Sequence, residues 1–195
     1  MIYLMRHGEI ETSGEKRYVG QKDLPLSRRG ISQAKAWSAR LKDIPFDRIL
    51  CSGLSRTQET ARIIAGSRPL PVESLAGFRE INLGTWDGEL MATIKKREPE
   101  AWHQRGENLA GFRPPGGESF ADLQERALPL LNRVASSARG NVLVVAHAGV
   151  NRAMLCGILG MPLGNLFSIA QDYACLNLLR YKNTWTVKAM NLTMP

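Results

Sequence analysis

Ile2-Tyr3-Leu4-Met5-Arg6-His7-Gly8-Glu9 is the stretch that decides how this chain is read. An apolar, strand-like run ends in an arginine and a histidine side by side, followed by a glycine. The chain has 3 histidines, His7, His103 and His147. His147 repeats the arrangement: Val142-Leu143-Val144-Val145-Ala146 leads into it and Gly149 follows. A histidine beside an arginine at a strand terminus suits phosphoryl transfer. The imidazole attacks phosphorus while the guanidinium holds the oxygens. A strand end capped by two polar loop residues is the bland alternative.

Outward from this strand, strand-like and helix-like periodicities alternate. Strands are predicted at about 2–5, 48–51, 71–74 and 142–146, and helices at about 28–42, 56–65 and 150–159. Ser119-Phe120-Ala121-Asp122 reads as a capping box opening a helix to about 137. Pro129 inside it is expected to kink or break it, because proline lacks the N–H. Segments 174–181 and 185–190 read as a closing hairpin. The stretch 81–118 is Gly-, Pro- and Trp-containing and reads as irregular, with a short helical stretch near 89–104. It is expected to be an inserted lid over one end of the sheet. The fold class is therefore α/β: a three-layer, doubly wound, mostly parallel sheet with helices on both faces. All of 1–195 is expected to form one domain.

Bulk properties narrow the function. Cys51, Cys156 and Cys175 are an odd set without Cys-x-x-Cys spacing, which argues against a disulfide framework or zinc ribbon and predicts small core hydrophobes. No signal-like or membrane-spanning apolar run is apparent, so a cytoplasmic location is expected. The net charge is +8, but Lys16-Arg17, Arg28-Arg29 and Lys95-Lys96-Arg97 are scattered and no aromatics are interleaved with them. The charge reads as solvated surface plus an anion site, with neither nucleic acid nor membrane as partner.

Ligands of open α/β sheets bind at the carboxyl ends of the parallel strands. Arg6, His7 and Gly8 stand there after the first strand, Ser52 to Arg56 after the second, Arg79 and Glu80 after the third, and His147, Ala148 and Gly149 after the fourth. Phosphoryl transfer needs positioning and positive charge around the phosphoryl oxygens. Arg6 and Arg56 are the candidate clamps. His7 is the candidate nucleophile, neutral, with its second ring nitrogen turned to a backbone carbonyl. His147 as an imidazolium would supply a third cation beside a helix N-terminus. Glu80 is the candidate general acid, with Glu9 competing for that role or orienting the site. Singly, each has a plainer reading: Arg56 pairing Glu59 or Glu9, Glu80 pairing Arg79, His147 as a satisfied half-buried histidine. His103 reads as surface. Cys51 to Arg56 is one residue short of Cys-x5-Arg, and serine-hydrolase, P-loop and His-metal motifs are absent, so no metal and no cofactor are expected.

With these residues in place, the chain resembles the histidine phosphatases, the phosphoglycerate mutase-like superfamily. The resemblance rests on Arg6-His7-Gly8-Glu9, Leu24-Pro25-Leu26-Ser27 through Gln33-Ala34, Cys51-Ser52-Gly53-Leu54-Ser55-Arg56, Arg79-Glu80, Pro115-Gly116-Gly117-Glu118-Ser119 and Val145-Ala146-His147-Ala148-Gly149. It implies a phosphohistidine at His7, a phosphate pocket of Arg6, Arg56 and His147, and Glu80 as proton donor. Ser13 stands where many members carry asparagine. Ser13, Gly20 and Ala148 join Arg6, Arg56 and His147 as the substrate-binding candidates. A compact segment between Glu80 and His147 favours hydrolysis over mutase chemistry. Phe46 to Ser52, the Leu159-Gly160-Met161-Pro162 turn and the size are most similar to the branch acting on α-ribazole 5′-phosphate. Fructose-2,6-bisphosphatase-like and broad-specificity members come next, and mutases after them. An inactive phosphatase fold serving as a binding protein is the alternative from another class. The implied partner is a small-molecule phosphate ester, with the protein a monomer or homodimer.

Overall fold

The computed structural model describes residues 1–12 and 14–194. Six strands form one sheet: β1 (Ile2–Arg6), β2 (Phe46–Cys51), β3 (Val72–Ser74), β4 (Asn141–Ala146), β5 (Leu176–Lys182) and β6 (Thr184–Leu192). Their order is β3-β2-β4-β1-β5-β6. The first four run parallel, while β5 and β6 form the predicted antiparallel hairpin on the β1 side. Six α-helices connect them: α1 (Arg28–Arg40), α2 (Ser55–Ala65), α3 (Met91–Arg97), α4 (Pro99–Glu107), α5 (Phe120–Ser137) and α6 (Ala148–Leu159).

Alternation along each strand builds two cores. Val142 and Val144 face one side of the sheet with Ile2 and Leu4, packed under α5 and α6. Leu143 and Val145 face the other with Met5 and Ile49, packed on Trp37 of α1 and Ile64 of α2. A strand buried on both faces must be apolar throughout, which is why β4 reads as an unbroken apolar run. This is the expected doubly wound, three-layer arrangement. The register pairs Arg6 with Ala146 and Cys51 with Val145. His7, Ser52 and His147 therefore leave the sheet together, at the carboxyl edge of three adjacent strands.

Two stretches add to what the sequence predicts. α5 runs unbroken through Pro129. Pro129 is exposed, while Leu123, Ala127 and Leu131 hold the buried face. The helical stretch expected near 89–104 within 81–118 is present, as two helices, α3 and α4. The 81–118 stretch also carries a 3-10 turn (Gly84–Trp86), and Trp86 and Ile94 are fully buried in the larger core. Its tryptophan and isoleucine anchor it to the body.

Cys51, Cys156 and Cys175 are free and buried, as core residues. Among the described residues no helix is long and apolar enough to cross a membrane.

Candidate active site

His7 is the first residue past β1, and two backbone bonds hold its main chain: its N–H donates to the Ala146 carbonyl at 3.1 Å and its carbonyl accepts from Ala174 N at 2.9 Å. The ring is tethered as well. Nδ1 lies 2.7 Å from the Gly8 carbonyl oxygen. A carbonyl only accepts, so Nδ1 carries the proton and Nε2 keeps its lone pair. Burial, with Arg6 and Arg56 alongside, pushes the His7 imidazole well below its ordinary range. The ring is therefore neutral and nucleophilic at neutral pH.

Arg6 stacks on the Tyr173 ring, with Cζ 3.6 Å from the centroid. Its Nη1 donates to the Gln171 carbonyl at 2.6 Å, and its Nε is buried with no hydrogen-bond partner. Arg56, at the start of α2, is 1% exposed. It donates to the carbonyls of Gly20 at 2.7 Å and Lys22 at 2.8 Å, and its Nε donates to His147 Nδ1 at 3.2 Å. The plainer pairings of Arg56 with Glu59 or Glu9 are not formed.

His147 is fully buried behind this pair, its ring centroid 5.1 Å from that of His7. Because Nδ1 accepts from Arg56, the proton sits on Nε2, which donates to Ser52 Oγ at 2.8 Å. Burial, then His7, Arg56 and Arg6, push this imidazole well below its ordinary range too. The expected imidazolium is thus corrected: His147 is neutral and acts on Arg56 as a hydrogen-bond acceptor.

Glu80 follows the turn after β3 and caps α6. Its carboxylate accepts from Gly149 N at 2.8 Å, Val150 N at 3.0 Å and Ile81 N at 3.0 Å. The Gly149 and Val150 N–H groups belong to the first turn of α6 and have no partner within the helix, so Glu80 satisfies them. The backbone before Glu80 is clamped by Arg126 of α5, which donates to the carbonyls of Gly77, Arg79 and Glu80 and pairs with Glu118 at 2.7 Å.

A cavity of about 360 Å³ opens over these groups. Arg6, His7, Arg56 and Glu80 line it, with Ala148 and Gly149 at the start of α6. Arg17, Arg105 and Arg152 add positive charge, and Leu83, Met91, Phe120 and Phe167 an apolar wall. Gly20 does not line the cavity. Its carbonyl holds Arg56 and its N–H donates to Asp87 Oδ1 at 2.8 Å, so it positions Arg56 from behind. Ser13 lies outside the described residues. Glu9 does not line the cavity; Ser27 Oγ donates to its carboxylate at 2.9 Å while capping α1 through Gly30 N. His103 is exposed, 3.5 Å from Glu107. Among the described residues no group of three His, Cys, Asp or Glu stands where it could hold a metal ion.

Sequence reasoning missed Tyr173, Arg126 and Arg152. Tyr173 had a signal only in hindsight: the loop after it turns at Ala174, φ 55°, a left-handed conformation that alanine rarely announces.

Compared with known proteins, residues 2–193 match the family model described as histidine phosphatase superfamily (branch 1). The adenosylcobalamin/alpha-ribazole phosphatase of Salmonella typhimurium is 32% identical over 178 residues, covering 89% of this chain and 87% of that protein. The crystal structure of the alpha-ribazole phosphatase from Shigella flexneri superposes with a TM-score of 0.90 at 28% identity, over 98% of this chain and 96% of that one. The mycobacterial glucosyl-3-phosphoglycerate phosphatase complexed with VO3 gives a TM-score of 0.87 at 28% identity, over 98% of each chain.

Proposed function

The chain belongs to the histidine phosphatase superfamily, and on that premise we propose that this phosphatase hydrolyses α-ribazole 5′-phosphate through a phosphohistidine on His7. One observation carries the reading. A single cavity joins a neutral, buried histidine and two arginines to an apolar wall of Leu83, Met91, Phe120 and Phe167. The polar floor suits the phosphate, and the wall suits a leaving group with a large apolar ring. The names of the Salmonella and Shigella relatives support the same ester.

In this reading the whole of 1–195 works as one domain. Arg6 Nε, unpartnered, and the remaining N–H groups of Arg6 and Arg56 bind the phosphoryl oxygens, with Ala148 N at the start of α6. His7 Nε2 attacks phosphorus in line, the P–O bond to the leaving group breaks, and Glu80 in its acid form protonates the departing oxygen. Water then attacks the phosphohistidine, Glu80 takes its proton, and the N–P bond breaks to release inorganic phosphate. His147 keeps Arg56 pointed at the phosphoryl group and Gly20 keeps it from the other side. Positioned charge of this kind supplies most of the rate in phosphoryl transfer.

A second reading has its own support: Lys16, Arg17 and Arg105 line the cavity, Arg17 paired with Glu15 at 3.1 Å, and these cations suit an ester with a second anionic group, such as a phosphoglycerate. Both are tested by kcat/KM on α-ribazole 5′-phosphate, 3-phosphoglycerate, fructose 2,6-bisphosphate and an aryl phosphate in EDTA, with His7→Ala as blank. A preference of about 10²-fold for the ribazole ester, or about 2.7 kcal/mol in the transition state, is expected. A similar preference for 3-phosphoglycerate would establish the second reading.

A further inference from the structure

Phe167 is 53% exposed, yet it lines the same cavity as His7. It lies in the 3-10 segment Leu163–Ser168 that follows α6. Its neighbour Leu166 is fully buried, so the segment is anchored in the core while the phenyl ring is left open. Two side chains fix that ring. Phe120 meets it edge to face, with centroids 5.9 Å apart and planes at 87°. Arg152 Cζ lies 5.4 Å from its centroid. Arg152 is itself held, its Nε donating to the Ile169 carbonyl at 2.8 Å, and it forms no ion pair with any described carboxylate.

An open aromatic ring beside a tethered, planar guanidinium offers flat π and cation–π contact together. A sugar or an aliphatic acid has no π face to stack on either group. We infer that Phe167 and Arg152 form a stacking subsite for a planar heteroaromatic ring carried by the leaving group. The inference deepens the proposed function and rests on it for which ring is bound. The phosphate binds at His7 and the ring is held by Phe167 and Arg152, with the sugar between.

The test compares kcat/KM on α-ribazole 5′-phosphate and on AMP with that on ribose 5-phosphate, which lacks a ring. It uses wild type, Phe167→Ala, Phe167→Leu and Phe167→Trp, with thermal unfolding followed alongside. Base–aromatic stacking is worth about tenfold or more. The ratio of ring-bearing to ring-less substrate is expected to fall about tenfold in Phe167→Ala and Phe167→Leu and to be kept in Phe167→Trp. Arg152→Met is expected to lower the same ratio. An unchanged ratio in Phe167→Ala, or a ratio kept in Phe167→Leu, overturns the subsite. A wild-type enzyme as fast on AMP as on the ribazole ester, with the ratio still collapsing in Phe167→Ala, removes the ribazole reading and leaves the subsite standing. A wild-type enzyme indifferent to the ring overturns both.

Discussion

Glu80 Oε2 accepts from Gly149 N at 2.8 Å, and a Cβ built on Gly149 would stand 2.5 Å from Glu80 Oε1. The glycine is thus a condition for seating the carboxylate on α6. Gly149→Ala is expected to push Glu80 off its seat. Turnover of an alkyl phosphate should fall about 10²-fold, in the range of general-acid effects. 4-Nitrophenyl phosphate should lose far less, because its leaving group departs without a proton. Equal losses on both esters would separate Glu80 from leaving-group protonation.

The two buried imidazoles predict a pH dependence of stability. Folding holds His7 and His147 well below their ordinary range, so as pH falls past about 6.5 the unfolded chain binds protons that the folded chain refuses. More protons bound when unfolded means that stability falls with pH, by at most about 2.7 kcal/mol per unit if both histidines contribute fully. Above that pH the effect is absent. Urea unfolding at pH 7.5 and 5.5 is expected to show this loss in wild type and a smaller one in His7→Asn. Identical losses would contradict the neutral, buried state of His7.

Tyr173 lies under the Arg6 guanidinium at 3.6 Å. Removing the ring in Tyr173→Ala frees Arg6 from a contact worth about 0.5–2 kcal/mol. Inhibition by orthovanadate is expected to weaken about 2- to 30-fold, while Tyr173→Phe, which keeps the ring, should inhibit like wild type. A Tyr173→Phe defect equal to that of Tyr173→Ala would move the role to the hydroxyl.

Arg56 bonds three acceptors at once: the Gly20 and Lys22 carbonyls and His147 Nδ1. A lysine carries the charge but not the fork. Arg56→Lys is expected to lower kcat/KM by at least about 10²-fold. It should also lower Tm, since each buried acceptor left unpaired costs about 1–3 kcal/mol. Retained activity would mean that charge alone suffices.

The convergence of Arg6, His7, Arg56, Glu80 and His147 was legible because Arg6 ends β1, His7 and His147 stand just past β1 and β4, Arg56 lies in the first turn of α2 and Glu80 follows the turn after β3, so topology brings the groups to one sheet edge. What depended on a single side-chain contact was not. The charge of His147 turns on which nitrogen meets Arg56 Nε, and no spacing encodes that. Arg126 is one of 26 lysines and arginines, and only the packing of α5 against residues 77–80 sets it apart. Tyr173 is placed by a left-handed alanine, where a glycine would have signalled the turn.

The central claim is that His7 Nε2 carries the phosphoryl group. Rapid-quench trapping with a ³²P-labelled aryl phosphate, whose fast first step lets the phosphoenzyme accumulate, tests it most directly. A burst of protein-bound label approaching one per chain, acid-labile and alkali-stable, is expected in wild type, and none in His7→Ala. Full turnover without such label, or label persisting in His7→Ala, would contradict it.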